Sequence, residues 1–140
     1  MTAREPSVSA WRAAAIDLGA ESGRVVVGEL ADGVFTVDEV HRFPNAGVSV
    51  RGRVHWDVLG LFQEILCGLG EARRRHGELA SVGVDTWGVD FALLDRAGAL
   101  LGNPHHYRDP RTAGAVELVA ERVPLRELFA RTGLQPKRIN

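Results

Sequence analysis

The sequence predicts an α/β protein built on a mixed β-sheet, and three observations lead to that class. Three runs rich in Ala, Val and Phe follow one another before residue 44, separated by glycine-bearing turns. A helical stripe then occupies residues 58–72, and a further short apolar run stands at 81–85. Meandering strands followed by a helix, a buried strand and more helices describe a sheet layered against helices.

The first strand is expected over 13–18 and the second over 24–30. Asp32-Gly33 is a hairpin turn signal, and a third strand follows over 35–43. Pro44-Asn45-Ala46-Gly47 breaks that pattern, and residues 48–55 read as a short excursion turning at Gly52. Asp57 is the expected N-cap of a helix, in which Val58, Phe62, Ile65, Leu66, Leu69 and Ala72 recur at helical spacing. Arg73-Arg74-Arg75-His76 places positive charge in its last turn, a solvated end favoured by the helix dipole, and Gly77 stops it. Residues 81–85 form a strand ending in a carboxylate, and 91–95 a further strand closed by Arg96-Ala97-Gly98. After the charged loop Tyr107-Arg108-Asp109-Pro110-Arg111, Thr112 caps one helix. Pro124 opens another, which ends near Thr132-Gly133. Residues 1–12 mix charge, Pro and Ser and read as a disordered leader rather than a signal peptide.

The 140 residues suffice for one modest core. A net charge of -1 and a pI near 6.5 give no electrostatic reason to expect nucleic acid or an anionic membrane as partner. The single cysteine, Cys67, cannot make an internal disulfide, which fits a reducing cytoplasm. Its neighbour Leu66 marks it as a packing residue. No apolar run approaches the roughly 18 residues needed to span a bilayer.

Two segments carry candidate chemistry. Asp17-Leu18-Gly19-Ala20-Glu21-Ser22-Gly23-Arg24 lies between two apolar runs and reads as a tight β-hairpin whose turn offers backbone N–H groups to an anion. Ser22 adds a hydroxyl donor and Arg24 a fixed positive charge. Asp17 is placed to hold Mg²⁺ through its water shell, because that ion keeps much of its hydration. Glu21 is expected to contribute only its amide, its side chain turned to solvent. An ordinary hairpin with an Asp at the strand end has the same layout. The second segment is Asp85-Thr86-Trp87-Gly88-Val89-Asp90-Phe91. Carboxylates accept hydrogen bonds from vicinal hydroxyls, an aromatic face packs on sugar C–H groups, and Gly admits a ligand to the backbone. These are the parts of a polyol pocket, and equally of a polar turn beside a core Trp. Asp109, between Arg108 and Arg111, reads as a structural ion pair holding a loop, or as a group fixing sugar hydroxyls. His105-His106 lacks a third ligand at a zinc-like spacing and reads as loop.

With these residues in view, the chain resembles the N-terminal part of the rhamnulokinase family of FGGY carbohydrate kinases. The resemblance rests on Asp17 to Arg24, on Val40-His41-Arg42-Phe43-Pro44-Asn45 and on His55-Trp56-Asp57-Val58. It is strongest at Val82-Gly83-Val84-Asp85-Thr86-Trp87-Gly88-Val89-Asp90-Phe91, continued by Tyr107 to Thr112. It implies a ribonuclease-H-like (actin-like ATPase) mixed sheet with flanking helices, residues 13–140 forming an incomplete first domain of a two-domain sugar kinase. Ala20, Glu21, Ser22, Gly23 and Arg24 then match the ATP-phosphate loop. Gly88 matches a position that touches the sugar, with Asp85 and Trp87 beside it, and Asp17 matches the carboxylate near the metal. The implied reaction is ATP- and Mg²⁺-dependent phosphorylation of L-rhamnulose on its 1-hydroxyl, in rhamnose catabolism in the cytoplasm. The family's general base lies in a second domain outside this chain, so no carboxylate here is assigned that role. The chain alone is expected to have little kinase activity, with the other half of the kinase as its partner. Two alternatives stand beside this reading: a related FGGY kinase acting on another ketose or polyol, and a non-catalytic sugar- or nucleotide-binding module.

Overall fold

Hairpin turns and β-favouring runs assemble the first three strands. In the computed structural model, which describes residues 10–139, β1 spans Trp11–Leu18, β2 Ser22–Ala31 and β3 Val34–Pro44. Asp32 and Gly33 both adopt positive φ, 51° and 76°, the turn whose twist matches that of the strands it joins. The β2–β3 register steps over Val40, passing from Val25↔His41 to Val26↔Glu39, which is a β-bulge. β1 begins at Trp11, so Trp11 and Arg12, expected in the leader, are strand residues. Antiparallel pairing with Leu30 and Glu29 holds them, and the Arg12 guanidinium donates to the Glu29 carboxylate. Residues 1–9 of the expected leader lie outside the described residues.

The remaining elements are β4 (Val48–Val50), β5 (Arg53–His55), α1 (Val58–His76), β6 (Ser81–Thr86), a 3-10 turn at Pro110–Thr112, α2 (Ala115–Ala120) and α3 (Leu125–Thr132). The chain divides into two compact units. The described part of one is residues 10–46 with Val58–Trp87, and the other is Gly47–Asp57 with residues 88–139.

In the first unit the sheet order is β3-β2-β1-β6. β6 runs parallel to β1, from Ala13↔Ser81 to Leu18↔Thr86, so the sheet is mixed as expected. Ala14, Ile16, Val25, Val27, Val40 and Ala72 form the buried core, with Leu18, Ile65, Leu69 and Leu79 packed on it. α1 covers one sheet face, but not with the whole stripe read from the sequence. Phe62 and Leu66 are 59% and 48% exposed, while Gly68 and Ala72 are buried. Small residues decide the contact, because a Cβ at Gly68 would stand 2.3 Å from Val25 Cγ2. The basic end of α1 is only partly solvated: Asp38 on β3 accepts from His76 Nε2 at 2.8 Å and pairs with Arg75 at 2.7 Å. His41 and Glu64 meet at 2.6 Å. At the sheet edge all six β6 residues are exposed, although Val82 and Val84 pair with the buried Ala14 and Ile16.

The second unit is loop-rich. β4 and β5 form a ribbon turning at Arg51-Gly52, both at positive φ. The strand expected over 91–95 does not form. Only an isolated Leu94↔Leu100 bridge is present, since Asp95 Oδ1 takes the amides of Ala97 and Ala99 and bends the chain there. Thr112 is not a helix cap: its hydroxyl donates to the Asp109 carbonyl, and α2 starts after Gly114, whose φ is 78°. α3 begins after Pro124 and ends at Gly133, φ 70°, as expected. Among the described residues no helix is long and apolar enough to cross a membrane.

Candidate functional site

The β1–β2 turn is tight because its glycine admits the backbone. The Gly19 N–H donates to the Ser22 carbonyl at 2.9 Å, and a Cβ on Gly19 would approach that same oxygen to 2.9 Å. Asn45, only 2% exposed, clamps the turn from the end of β3. Its Nδ2 donates to the Gly19 carbonyl at 2.6 Å and its amide to the Glu21 carbonyl at 3.0 Å. The amides of Ala20 and Glu21 take no part in this bonding, and the Glu21 side chain is exposed. Gly23 is buried beneath the Phe43 ring, which would lie 2.3 Å from an added Cβ. Ser22 Oγ accepts from Arg42 Nη1 at 3.4 Å. The turn is therefore rigid and accessible, with its outer amides unconsumed by the hairpin.

Alternation along the strands brings a second group to one face. Asp17↔Arg24 across β1–β2 and Asp17↔Asp85 across β1–β6 are register partners near the ends of their strands. Neighbouring strands lie about 4.8 Å apart, so the two carboxylates share one locus. They line an open depression with Arg24, Val26, Val37 and Gly83. Arg24 reaches across to Asp17, Nε at 2.8 Å and Nη2 at 2.7 Å. Beside them Glu39 is bound by Arg42 at 2.6 Å, and that hydrogen bond with the neighbouring guanidinium charges holds its carboxyl below the ordinary range despite some desolvation.

The segment in which a polyol pocket is expected is divided between the units. Asp85 and the half-buried Trp87 belong to the first, Gly88 to the second. No atom lies within 4 Å of a Cβ built at Gly88, so nothing in the chain itself requires glycine there. Val89 adopts φ 70°, and Asp90 Oδ2 accepts from Trp56 Nε1 at 2.5 Å.

Asp109 is fully buried and organises the second unit. It accepts the Val54 amide at 2.6 Å and the Arg111 amide at 2.8 Å, and Arg53 stands 3.5 Å away. Desolvation pushes its carboxyl up, but the two N–H groups and the charge of Arg53 outweigh it and leave it below 3.8. The ion-pair reading of this loop holds, with Arg53 as a partner the sequence did not suggest. Arg108 instead lies over the Tyr107 ring, 5.1 Å from its centre. His106 stacks on Trp56 at 4.0 Å, and burial pushes its imidazole below 6.5, with the Asp90 charge partly opposing.

Both shifts are downward, so each stabilises the fold above the unfolded pKa and is lost on acidification. Urea midpoints should fall as pH drops below about 6.5, where unfolded His106 takes up a proton before the folded form does. A second loss follows below about 3.8 as Asp109 protonates. His106→Gln should flatten the upper limb; an unchanged limb would refute its assignment to this ring.

No family model matches the chain. Comparison with curated proteins shows similarity to the rhamnulokinase of Bacteroides thetaiotaomicron, 43% identical over 126 residues, covering 90% of this chain and 26% of that protein. The rhamnulokinase of Oceanobacillus iheyensis is 40% identical over 126 residues, 90% of this chain and 27% of that protein. The chain thus spans about a quarter of the length of the curated relatives it matches. Among solved structures, the gluconate kinase of Lactobacillus acidophilus superposes with a TM-score of 0.74 at 16% identity, over 90% of this chain and 25% of that one. That likeness speaks for the fold alone: a mixed sheet with flanking helices, matching about a quarter of the chain it superposes on.

Proposed function

We propose that this chain, the counterpart of about a quarter of an FGGY carbohydrate kinase, supplies the nucleotide-phosphate loop and part of the sugar site of a cytoplasmic enzyme. That enzyme phosphorylates L-rhamnulose on its 1-hydroxyl with ATP. The observation that carries the reading is the register of Asp17 with Asp85, beside a hairpin turn whose outer amides stand open. Transfer of a phosphoryl group depends on position and on charge stabilisation. The amides of Ala20 and Glu21, with Ser22, would receive phosphate oxygens, and Gly23 lets Phe43 lie close beneath and stiffen the loop. Arg24 neutralises Asp17 at the mouth, which lowers the repulsion an incoming polyphosphate meets. Two carboxylates in one locus suit a water-rich Mg²⁺, which needs few protein ligands. When bound, the ion would offset phosphate charge, with Asp17 holding it through water. Gly88 leaves room for a ligand to reach the backbone, and Asp85 and Trp87 would take hydroxyls and a sugar face. On this reading no carboxylate described here acts as the general base, which would be supplied by the part of the kinase that this chain does not match.

A chimera in which this chain replaces the matching quarter of the Bacteroides thetaiotaomicron protein tests the reading. Assayed over a panel of ketoses, it should prefer L-rhamnulose, and Asp17→Asn should lower kcat by about a hundredfold or more. A preference for another ketose or polyol favours the related-kinase alternative. The chain alone should bind Mg-ATP weakly and turn over little; turnover comparable with the chimera would overturn the proposal.

A further inference from the structure

We infer that Trp56 and Asp90 are positioning residues: their hydrogen bond holds the Gly88-Val89 turn in a left-handed conformation that sets the sugar-facing backbone. The inference rests on the reading that Gly88 meets the sugar, and it deepens that reading. A β-branched residue at φ 70° is strained, because its Cβ crowds the adjacent carbonyl. Such strain persists only where the surroundings over-determine it. Val89 is 54% exposed, so burial of the residue does not hold the turn.

The residue that follows does have a fixed anchor. Asp90 Oδ2 accepts the Trp56 indole N–H at 2.5 Å, and Trp56 is only 2% exposed. The Trp56 amide donates to the Pro104 carbonyl at 2.9 Å, and its ring stacks on His106 at 4.0 Å. His106 is itself fixed, its amide donating to the Val54 carbonyl at 2.9 Å and its Nδ1 accepting the Arg108 amide at 3.0 Å. A rigid donor at one end and an open backbone at Gly88 at the other make the intervening Val89 the place where strain is stored. The device orients a peptide group without giving up the free space beside Gly88.

NMR on the chain itself tests this, using the couplings that report φ at residue 89 and titration with L-rhamnulose. Trp56→Phe keeps the stacked ring and removes the donor; Asp90→Ala removes the acceptor and serves should the first variant fold poorly. Both should lose the left-handed conformation at residue 89 and weaken ketose binding about tenfold. Asp90→Asn, which retains an acceptor oxygen, should behave as the native chain. Adding Val89→Asn to Trp56→Phe should restore both readouts, since Asn tolerates this region, a recovery that a merely structural defect would not show. Persistence of positive φ in Trp56→Phe and Asp90→Ala would overturn the inference. If the φ results hold while L-rhamnulose leaves the native Gly88 amide unmoved, the latch stands and the sugar assignment fails.

Discussion

Gly68→Val should destabilise the helix–sheet unit by about 1–3 kcal/mol, whereas Gly70→Ala, two residues on, should stabilise it by roughly 0.5–1 kcal/mol. Both positions lie within α1, and local helix propensity favours replacing either glycine. Their surroundings separate them. A Cβ at Gly68 would meet Val25 Cγ2 at 2.3 Å, Val25 Cβ at 2.9 Å and His41 Cβ at 3.2 Å. Val25 is wholly buried and fixed in β2, so the clash can be relieved only by lifting the helix from its sheet. Gly70 is exposed, with nothing within 4 Å of an added Cβ. Urea denaturation followed by far-ultraviolet circular dichroism measures both midpoints. Two shifts of the same sign would mean that α1 does not pack as described.

Trp56→Ala should cost the second unit about 3–5 kcal/mol, the range for emptying the site of a large buried aromatic. The ring is 2% exposed, lies against His106 and donates to Asp90. Its loss would open a cavity and free the imidazole whose amide bonds to Val54. Hydrogen exchange at the Val54 and His106 amides should accelerate by about two to three orders of magnitude. An acceleration below about tenfold would show that the Asp109 hydrogen bonds, not the aromatic stack, hold this unit together.

Much of the first unit was legible in the sequence because its signals are local. Apolar runs set off by glycine-bearing turns marked β1, β2 and β3, and Asp32-Gly33 marked the turn between the last two. The α1 pattern fixed the helix but not its orientation. The periodicity of Phe62 and Leu66 matched that of Ile65 and Leu69, and only the close approach at Gly68 showed which side meets the sheet. The strand expected over 91–95 is absent: an apolar run carries no information about whether a neighbouring strand exists to pair with it. Asp95 captures nearby amides instead. At the candidate site, the glycine turn and Asp17 stood out from residue type alone. Asn45, whose two hydrogen bonds clamp that turn, did not, since an Asn after Pro44 looks like any loop residue. Trp56 and Asp90 each stood in a motif, but nothing in the sequence joined them across the 34 positions between them.

By itself the sequence determined the class of fold, the places of β1, β2, β3 and β6 along the chain and the residue types of the β1–β2 turn. These follow from side-chain periodicity and from the backbone freedom of particular residues, which act over a few positions. Only the tertiary structure decided that Asp17 and Asp85 share one face, that Arg24 is paired with Asp17, and that Asp109 binds Arg53 and Val54. Those facts depend on strand register and on burial, which bring together residues too distant in the chain for any local pattern to record.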